Sequence, residues 1–226
     1  MLTAIIVAAG SSRRFGFDKL TAPIAGKPLI AYTIDSFEQT NSVDEIIIVT
    51  RADRIEEFKA ITRSAAKVAA IVAGGAHRHN SVEAGLRHLK QDADYVAVHD
   101  AARPLITSKA IEQVYAEARK HGAASLAEAV RDTLKRAGND LVVRESIDRD
   151  QVYAMQTPQV FERKLLEQAY AAVAKNGRLV TDEVSAVELL GKKVILVPND
   201  EVNFKITYER DLDLAEAVLV QRRKST

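Results

Sequence analysis

Short apolar runs rich in valine and isoleucine recur along the chain, separated by longer stretches in which hydrophobic residues return every three or four positions. That alternation is the mark of β-α units building an α/β layer fold around a largely parallel sheet. Residues 3–7 read as the first strand. A helix follows over 28–38, where Ile30, Ile34 and Phe37 share a face and Pro28 suits the first turn. Further strands are predicted at 45–50, 67–72 and 95–99, with helices at 53–65 and 80–90 between them. Thr107 or Ser108 can cap a helix whose Ile111, Val114, Tyr115 and Ala118 fall on one side, and Gly122 can end it. Near the C-terminus the pattern gives helices at 163–175 and 182–190, a strand at 193–197 and a closing helix from about residue 208.

Between 129 and 153 the character changes, because charged residues interrupt only brief apolar runs. Gly138-Asn139-Asp140 can turn a hairpin between strands at 133–137 and 141–145. An isolated hairpin is stable only when it packs on something. It is either a protruding arm of about 130–152 that meets a second subunit or an ordinary exposed hairpin. The rest shows no internal repeat, and 226 residues at 47% hydrophobic suit a single domain over 1–226.

Charge narrows the function. The 32 basic and 31 acidic residues cancel to +1, so no nucleic-acid-binding face is expected and any phosphate binding must be local. Without cysteine there is neither a disulfide framework nor a thiolate metal site. The first apolar run stops at Gly10 and has no basic segment before it, which fits neither a secretory signal nor a membrane span; a soluble, cytoplasmic protein is expected.

Three segments can carry chemistry. The first strand runs into Ala8-Ala9-Gly10-Ser11-Ser12-Arg13-Arg14, a loop of small residues whose N–H groups can approach phosphate oxygens, with Arg14 and Lys19 as counter-charges. It is neither of the two common nucleotide loops: no lysine follows Gly16, and Ser12 stands where a dinucleotide fingerprint needs glycine, which disfavours a NAD-binding protein. A tight packing turn is the other reading. In the second segment, Gly74-Gly75-Ala76-His77-Arg78-His79-Asn80-Ser81, the glycines admit a flat base and Ser81 offers a small donor and acceptor; a Gly-Gly turn closed by an Asn80 cap is the alternative. His77 and His79, with no cysteine partner, read as solvated. In the third, His99-Asp100-Ala101-Ala102-Arg103-Pro104 ends a strand, where open α/β sheets bind ligands. Asp100 can hold a divalent cation and Arg103 can fork onto a phosphate, unless the two simply pair to close the strand end.

Together these segments resemble the sugar-phosphate nucleotidyltransferases, and the H-D-A-A-R-P string is similar to that of the methylerythritol phosphate cytidylyltransferases; the related ribitol-phosphate enzymes usually depart at Ala102. The resemblance continues through Arg131-Asp132-Thr133, Asp148-Arg149, Thr157-Pro158-Gln159, Thr181-Asp182-Glu183 and Asn203-Phe204-Lys205-Ile206-Thr207. It implies a Rossmann-like nucleotidyltransferase fold, a mostly parallel twisted sheet flanked by helices, with a protruding β-hairpin arm that crosses its partner's in a homodimer. It implies a reaction of CTP with 2-C-methyl-D-erythritol 4-phosphate, assisted by Mg2+ on Asp100. Arg14, Lys19 and Lys205 would then be catalytic, and Ala8, Ala9, Gly10, Ser12, Gly75, Arg78, Ser81 and Ala101 would bind CTP. Asp100, Arg103, Thr133, Arg149, Thr157 and Thr181 would serve the acceptor. The residues themselves also suit simpler duties: Thr181 can cap a helix whose first turn carries Asp182 and Glu183, and Thr207 can cap the last helix. A ribitol-phosphate enzyme and a non-catalytic nucleotide sensor are the alternatives.

Overall fold

A strand covered on both faces needs apolar residues at consecutive positions, and β1 (Leu2–Val7) has them: Leu2, Ile5 and Ile6 have no exposed surface. The computed structural model describes residues 1–10, 18–177 and 180–224. After β1 come a minimal hairpin, β2 (Pro23–Ile24) and β3 (Lys27–Pro28), then α1 (Leu29–Glu38), β4 (Glu45–Thr50), α2 (Ile55–Ile61), β5 (Val68–Ala73), α3 (Arg78–Leu86) and β6 (Tyr95–Asp100). The second half holds α4 (Ser108–His121), β7 (Ala123–Ala129), the hairpin of β8 (Leu134–Ala137) and β9 (Val143–Ile147), β10 (Tyr153–Glu162), α5 (Arg163–Asn176), α6 (Glu183–Glu188), β11 (Ile195–Pro198) and α7 (Arg210–Lys224).

Among the described residues, seven strands form one sheet in the order β11-β7-β10-β6-β1-β4-β5. The pairs β1/β4, β1/β6, β4/β5 and β7/β11 are parallel, whereas β10 runs antiparallel to both neighbours, β6 and β7. Adjacent strand residues feed opposite layers. Ile5, Ile47, Val98 and Phe161 pack with Val82, Leu166, Tyr170 and Val187 of α3, α5 and α6. Ile6, Ile46, Ile48 and Val160 pack with Phe37, Phe58, Ile111 and Leu219 of α1, α2, α4 and α7. The α/β, mostly parallel architecture predicted from the pattern is the one found.

The differences are local. β7 and β10 were not in the hydrophobic pattern, and they complete the sheet between β11 and β6. The helix read over 53–65 is one turn of 3-10 helix, Ala52–Arg54, leading into α2. The second hairpin strand starts at Val143 rather than at 141, because Gly138 and Val142 close a longer loop in which Leu141 has φ 59°. Thr107 caps α4 by accepting from the Ala110 N–H at 3.3 Å, and Gly122 ends it in the left-handed region, both as predicted. The N-cap of α3 is His77, with the Asn80 side chain reaching back to its N–H; the N-cap of α6 is Asp182, not Thr181. Asp211 takes the N–H groups of Thr207 and Tyr208 before α7, while the Thr207 hydroxyl turns to the Lys205 carbonyl.

Candidate functional site

From β1 the chain winds to β4 and β5 on one side and then returns to β6 on the other, so winding reverses between β1 and β6. Loops part at such a switch point and leave a crevice at the carboxyl ends of the strands. Here the crevice is a cleft of about 390 Å³, with Ala8, Ala9 and Gly10 leaving β1 on one wall and Gly75, Arg78 and Ser81 entering α3 on the other. Asp100 closes its floor at the end of β6, and Lys19, Ala102 and Lys205 complete it. The glycine pair has a steric reason: a Cβ on Gly74 would sit 2.7 Å from the Ala9 Cβ, and one on Gly75 would sit 2.4 Å from the Asn80 Cβ.

A second cleft of about 320 Å³ adjoins the first, sharing Arg78, Asp100 and Lys205 with it. Its own wall is built by Arg103 after β6, Met155 to Thr157 and Gln159 in β10, and Thr181, Asp182 and Ser185 at the start of α6. The three shared side chains stand between two cavities, each large enough for part of a phosphorylated ligand.

Charge at that wall is tightly ordered. Asp100 Oδ1 accepts from Arg78 Nε at 3.1 Å, and Oδ2 accepts from Lys205 Nζ at 2.7 Å. Burial would raise the Asp100 carboxyl, but the charges of Arg78, Lys205 and Arg103 and the Lys205 hydrogen bond outweigh it and hold the group far below the usual carboxylate range. Burial pulls the Arg78 guanidinium down, and Glu183 and Asp100 more than restore it. Arg103 is lowered by burial, partly offset by Asp100. It donates to the carbonyls of Asn203 at 2.8 Å and Met155 at 3.4 Å, so it ties two chain segments to the end of β6. Lys19 Nζ donates to the Ile206 carbonyl at 2.6 Å.

Behind this wall lies His99, fully buried. Its Nδ1 faces the Thr157 hydroxyl at 3.0 Å, which also accepts from the Asp100 N–H at 3.1 Å; its Nε2 meets the Arg103 carbonyl at 3.3 Å. Burial pushes the imidazole down to about 3, so it is neutral, with Nε2 donating to Arg103 and Nδ1 accepting from Thr157.

The predicted residues sort by place. Ala8, Ala9, Gly10, Lys19, Gly75, Arg78, Ser81, Asp100 and Lys205 gather around the first cleft, and Arg103, Thr157 and Thr181 around the second. Ala101 lies just behind the wall, buried, with Ala102 as the lining residue. Thr133 and Arg149 are exposed on the hairpin arm and line neither cleft. Ser12 and Arg14 lie outside the described residues. Sequence reasoning missed His99 and Glu183 as members of the site. Glu183 reads as a first-turn acid of α6, yet it has no exposed surface and takes Arg78 Nη1 at 2.5 Å and the Tyr170 hydroxyl at 2.9 Å.

Among the described residues no group of three His, Cys, Asp or Glu side chains is arranged to hold a metal. A single ionised carboxylate facing both clefts suits a hard cation that keeps waters and draws its other ligands from phosphates.

The family model described as 2-C-methyl-D-erythritol 4-phosphate cytidylyltransferase matches residues 2–221. Relatives of that name include one from Halalkalibacterium halodurans, 38% identical over 98% of each chain. Another, from Symbiobacterium thermophilum, is 39% identical over 99% of this chain and 94% of its own length. Among solved structures, the 4-diphosphocytidyl-2C-methyl-D-erythritol synthase of Anaerococcus prevotii superposes with a TM-score of 0.87 at 31% identity, covering 97% of this chain and 98% of its own.

Proposed function

This chain belongs to the 2-C-methyl-D-erythritol 4-phosphate cytidylyltransferase family, and from that premise we propose how its two clefts divide one reaction. It is a nucleotidyltransferase that joins CTP to 2-C-methyl-D-erythritol 4-phosphate, giving 4-diphosphocytidyl-2-C-methyl-D-erythritol and pyrophosphate on the non-mevalonate route to isoprenoid precursors. The observation that carries the division is the shared wall: a nucleotide in the first cleft and a phosphorylated acceptor in the second would meet at Arg78, Asp100 and Lys205.

In this reading the Gly75 backbone and Ser81 receive cytidine, with Ala101 behind them. Ala8, Ala9, Gly10 and Ser12 wrap the triphosphate, and Arg14, Lys19 and Lys205 neutralise it. Arg103, Thr157 and Thr181 serve the acceptor. A phosphate oxygen of the acceptor attacks the α-phosphorus; a P–O bond forms to it as the bond to the β-phosphate bridging oxygen breaks, and pyrophosphate leaves. A phosphate monoester is nucleophilic at neutral pH, so no Ser, Cys or His nucleophile and no covalent intermediate are required. Catalysis rests on alignment and on cations placed where charge develops. Family members use a divalent cation; we assign Mg2+ to Asp100, which would hold it, and the ion would supply positive charge against the charge that develops on the phosphates.

The protein acts as a single domain in the cytoplasm and as a homodimer, with Thr133 and Arg149 of the arm serving the partner's acceptor cleft. Leu141, Val142 and Val143 at the arm's tip are 86%, 53% and 59% exposed, an apolar end that supports a protein contact. The test is pyrophosphate release with CTP, Mg2+ and either methylerythritol phosphate or ribitol phosphate, beside ATP, GTP and UTP. Release only with CTP and methylerythritol phosphate is expected; release with ribitol phosphate alone would move the acceptor assignment, and silence with both would overturn the mechanism.

A further inference from the structure

Glu183 stands one layer behind the shared wall and lines neither cleft. Its side chain has no exposed surface. Oε1 accepts both from Arg78 Nη1 and from the Tyr170 hydroxyl, while Oε2 is buried with no hydrogen-bond partner among the described residues. Its backbone N–H and that of Val184 are fixed by Gln159 Oε1 at 3.1 and 3.2 Å, and Gln159 belongs to β10 beside Thr157. The Tyr170 hydroxyl, raised by burial and by Glu183 itself, keeps its proton and remains a donor.

A buried carboxylate with one oxygen unpaired among the described residues is a poor device for stability, because burial forfeits the hydration of the charge and only part of its hydrogen-bonding capacity is returned. What it does supply is a fixed place for one guanidinium. Arg78 lies between two carboxylates, Nε on Asp100 and Nη1 on Glu183. Asp100 lines both clefts and shares its second oxygen with Lys205, whereas Glu183 lines neither cleft.

We propose that Glu183 is the positioning residue for Arg78, holding its guanidinium at the junction of the two clefts so that nucleotide and acceptor meet it already in place. The proposal deepens the two-cleft reading and rests on it. The experiment is a double-mutant cycle of Glu183→Gln and Arg78→Ala, read by kcat and both KM values, by CTP affinity from titration calorimetry with Mg2+, and by melting temperature. Glu183→Gln keeps the shape and removes the charge. It should lower kcat/KM by about 10-fold or more in the wild-type background, and should cost nothing further once Arg78 is gone. Tyr170→Phe, which removes only the second hydrogen bond, should show a smaller loss that also vanishes with Arg78, and it carries the cycle if Glu183→Gln does not fold. Losses that multiply, or unchanged kinetics with a lowered melting temperature, would overturn the proposal. Wild-type enzyme silent in the pyrophosphate assay would sink the two-cleft reading instead, and the cycle in CTP affinity would still test the link between Glu183 and Arg78.

Discussion

A histidine with no exposed surface must fold without its proton, and the cost of that appears in the pH dependence of stability. His99 is depressed from its ordinary 6.5 to about 3, chiefly by burial, with the Asp100 charge and the hydrogen bond to the Arg103 carbonyl opposing and the charges of Arg103 and Arg78 adding a little. Below about pH 6.5 the unfolded chain takes up a proton that the folded chain refuses. Stability conferred by the neutral ring is therefore full above that pH and falls as pH falls, by up to about 1.4 kcal/mol per pH unit. Asp100, held low in the folded state, adds its own loss as the unfolded carboxyl protonates from about pH 5 down through its ordinary 3.8, so the histidine dominates the interval from pH 6.5 to 5. Urea unfolding of the wild type across that interval should show the decline, and His99→Gln should flatten it; equal slopes would remove His99 as the source. Glu183 and His99 share a reason for having been illegible. An acid after Thr-Asp reads as a helix-dipole partner and a histidine before the aspartate reads as part of a motif, because nothing local says that a strand and a helix distant in sequence will seal them.

At the scale of elements, α3 carries one wall of the first cleft and its seating depends on one missing side chain. A Cβ on Gly85 would lie 2.7 Å from Ile5 Cγ2 and 3.2 Å from Val49 Cγ2, so the helix reaches β1 and β4 only because the residue is glycine. Gly85→Ala should destabilise the protein by about 1–3 kcal/mol, as overpacking does, despite alanine's better helix propensity; a rise in the urea midpoint would show that the helix can back away at no cost. The elements that hydrophobic periodicity identified were those whose pattern and environment agreed, among them β1, β4, β6, α1 and α4. β7 and β10 were not legible for opposite reasons. Ala123–Ala129 is alanine-rich and has little intrinsic strand preference, and it becomes a strand because β10 and β11 flank it. Tyr153–Glu162 contains Pro158, which argues against a central strand; it is accommodated where the register with β7 shifts between Met155 and Gln159. The motifs of the first cleft were readable because they sit in loops directly after strands. The second cleft was not readable as a cavity, since β10 and α6 form most of its wall.

At the scale of the whole molecule, the proposed dimer would add what a single chain does not supply. Thr133 and Arg149 are exposed on the arm and reach neither cleft of their own chain, which is the placement a crossed-arm dimer requires. Lys19→Ala removes a cation from a protomer's own cleft, and Arg149→Ala removes one from the arm it lends. Each variant alone should be nearly inactive, whereas mixing the two after subunit exchange should restore roughly a quarter of the active sites, because half the dimers are mixed and each has one intact site. Recovery of none, measured in the pyrophosphate assay with dimer exchange verified by mass spectrometry, would confine the arm to its own protomer or remove it from the site.

The common wall of Arg78, Asp100 and Lys205 also bears on inhibition. Two small molecules entering the two cavities separately each lose their translational and rotational freedom, whereas one molecule threaded past those three side chains loses it once and gathers both sets of contacts. With the cavities adjoining rather than stacked or remote, the connection such a molecule needs is short, about the length of the phosphate bridge that the enzyme itself makes.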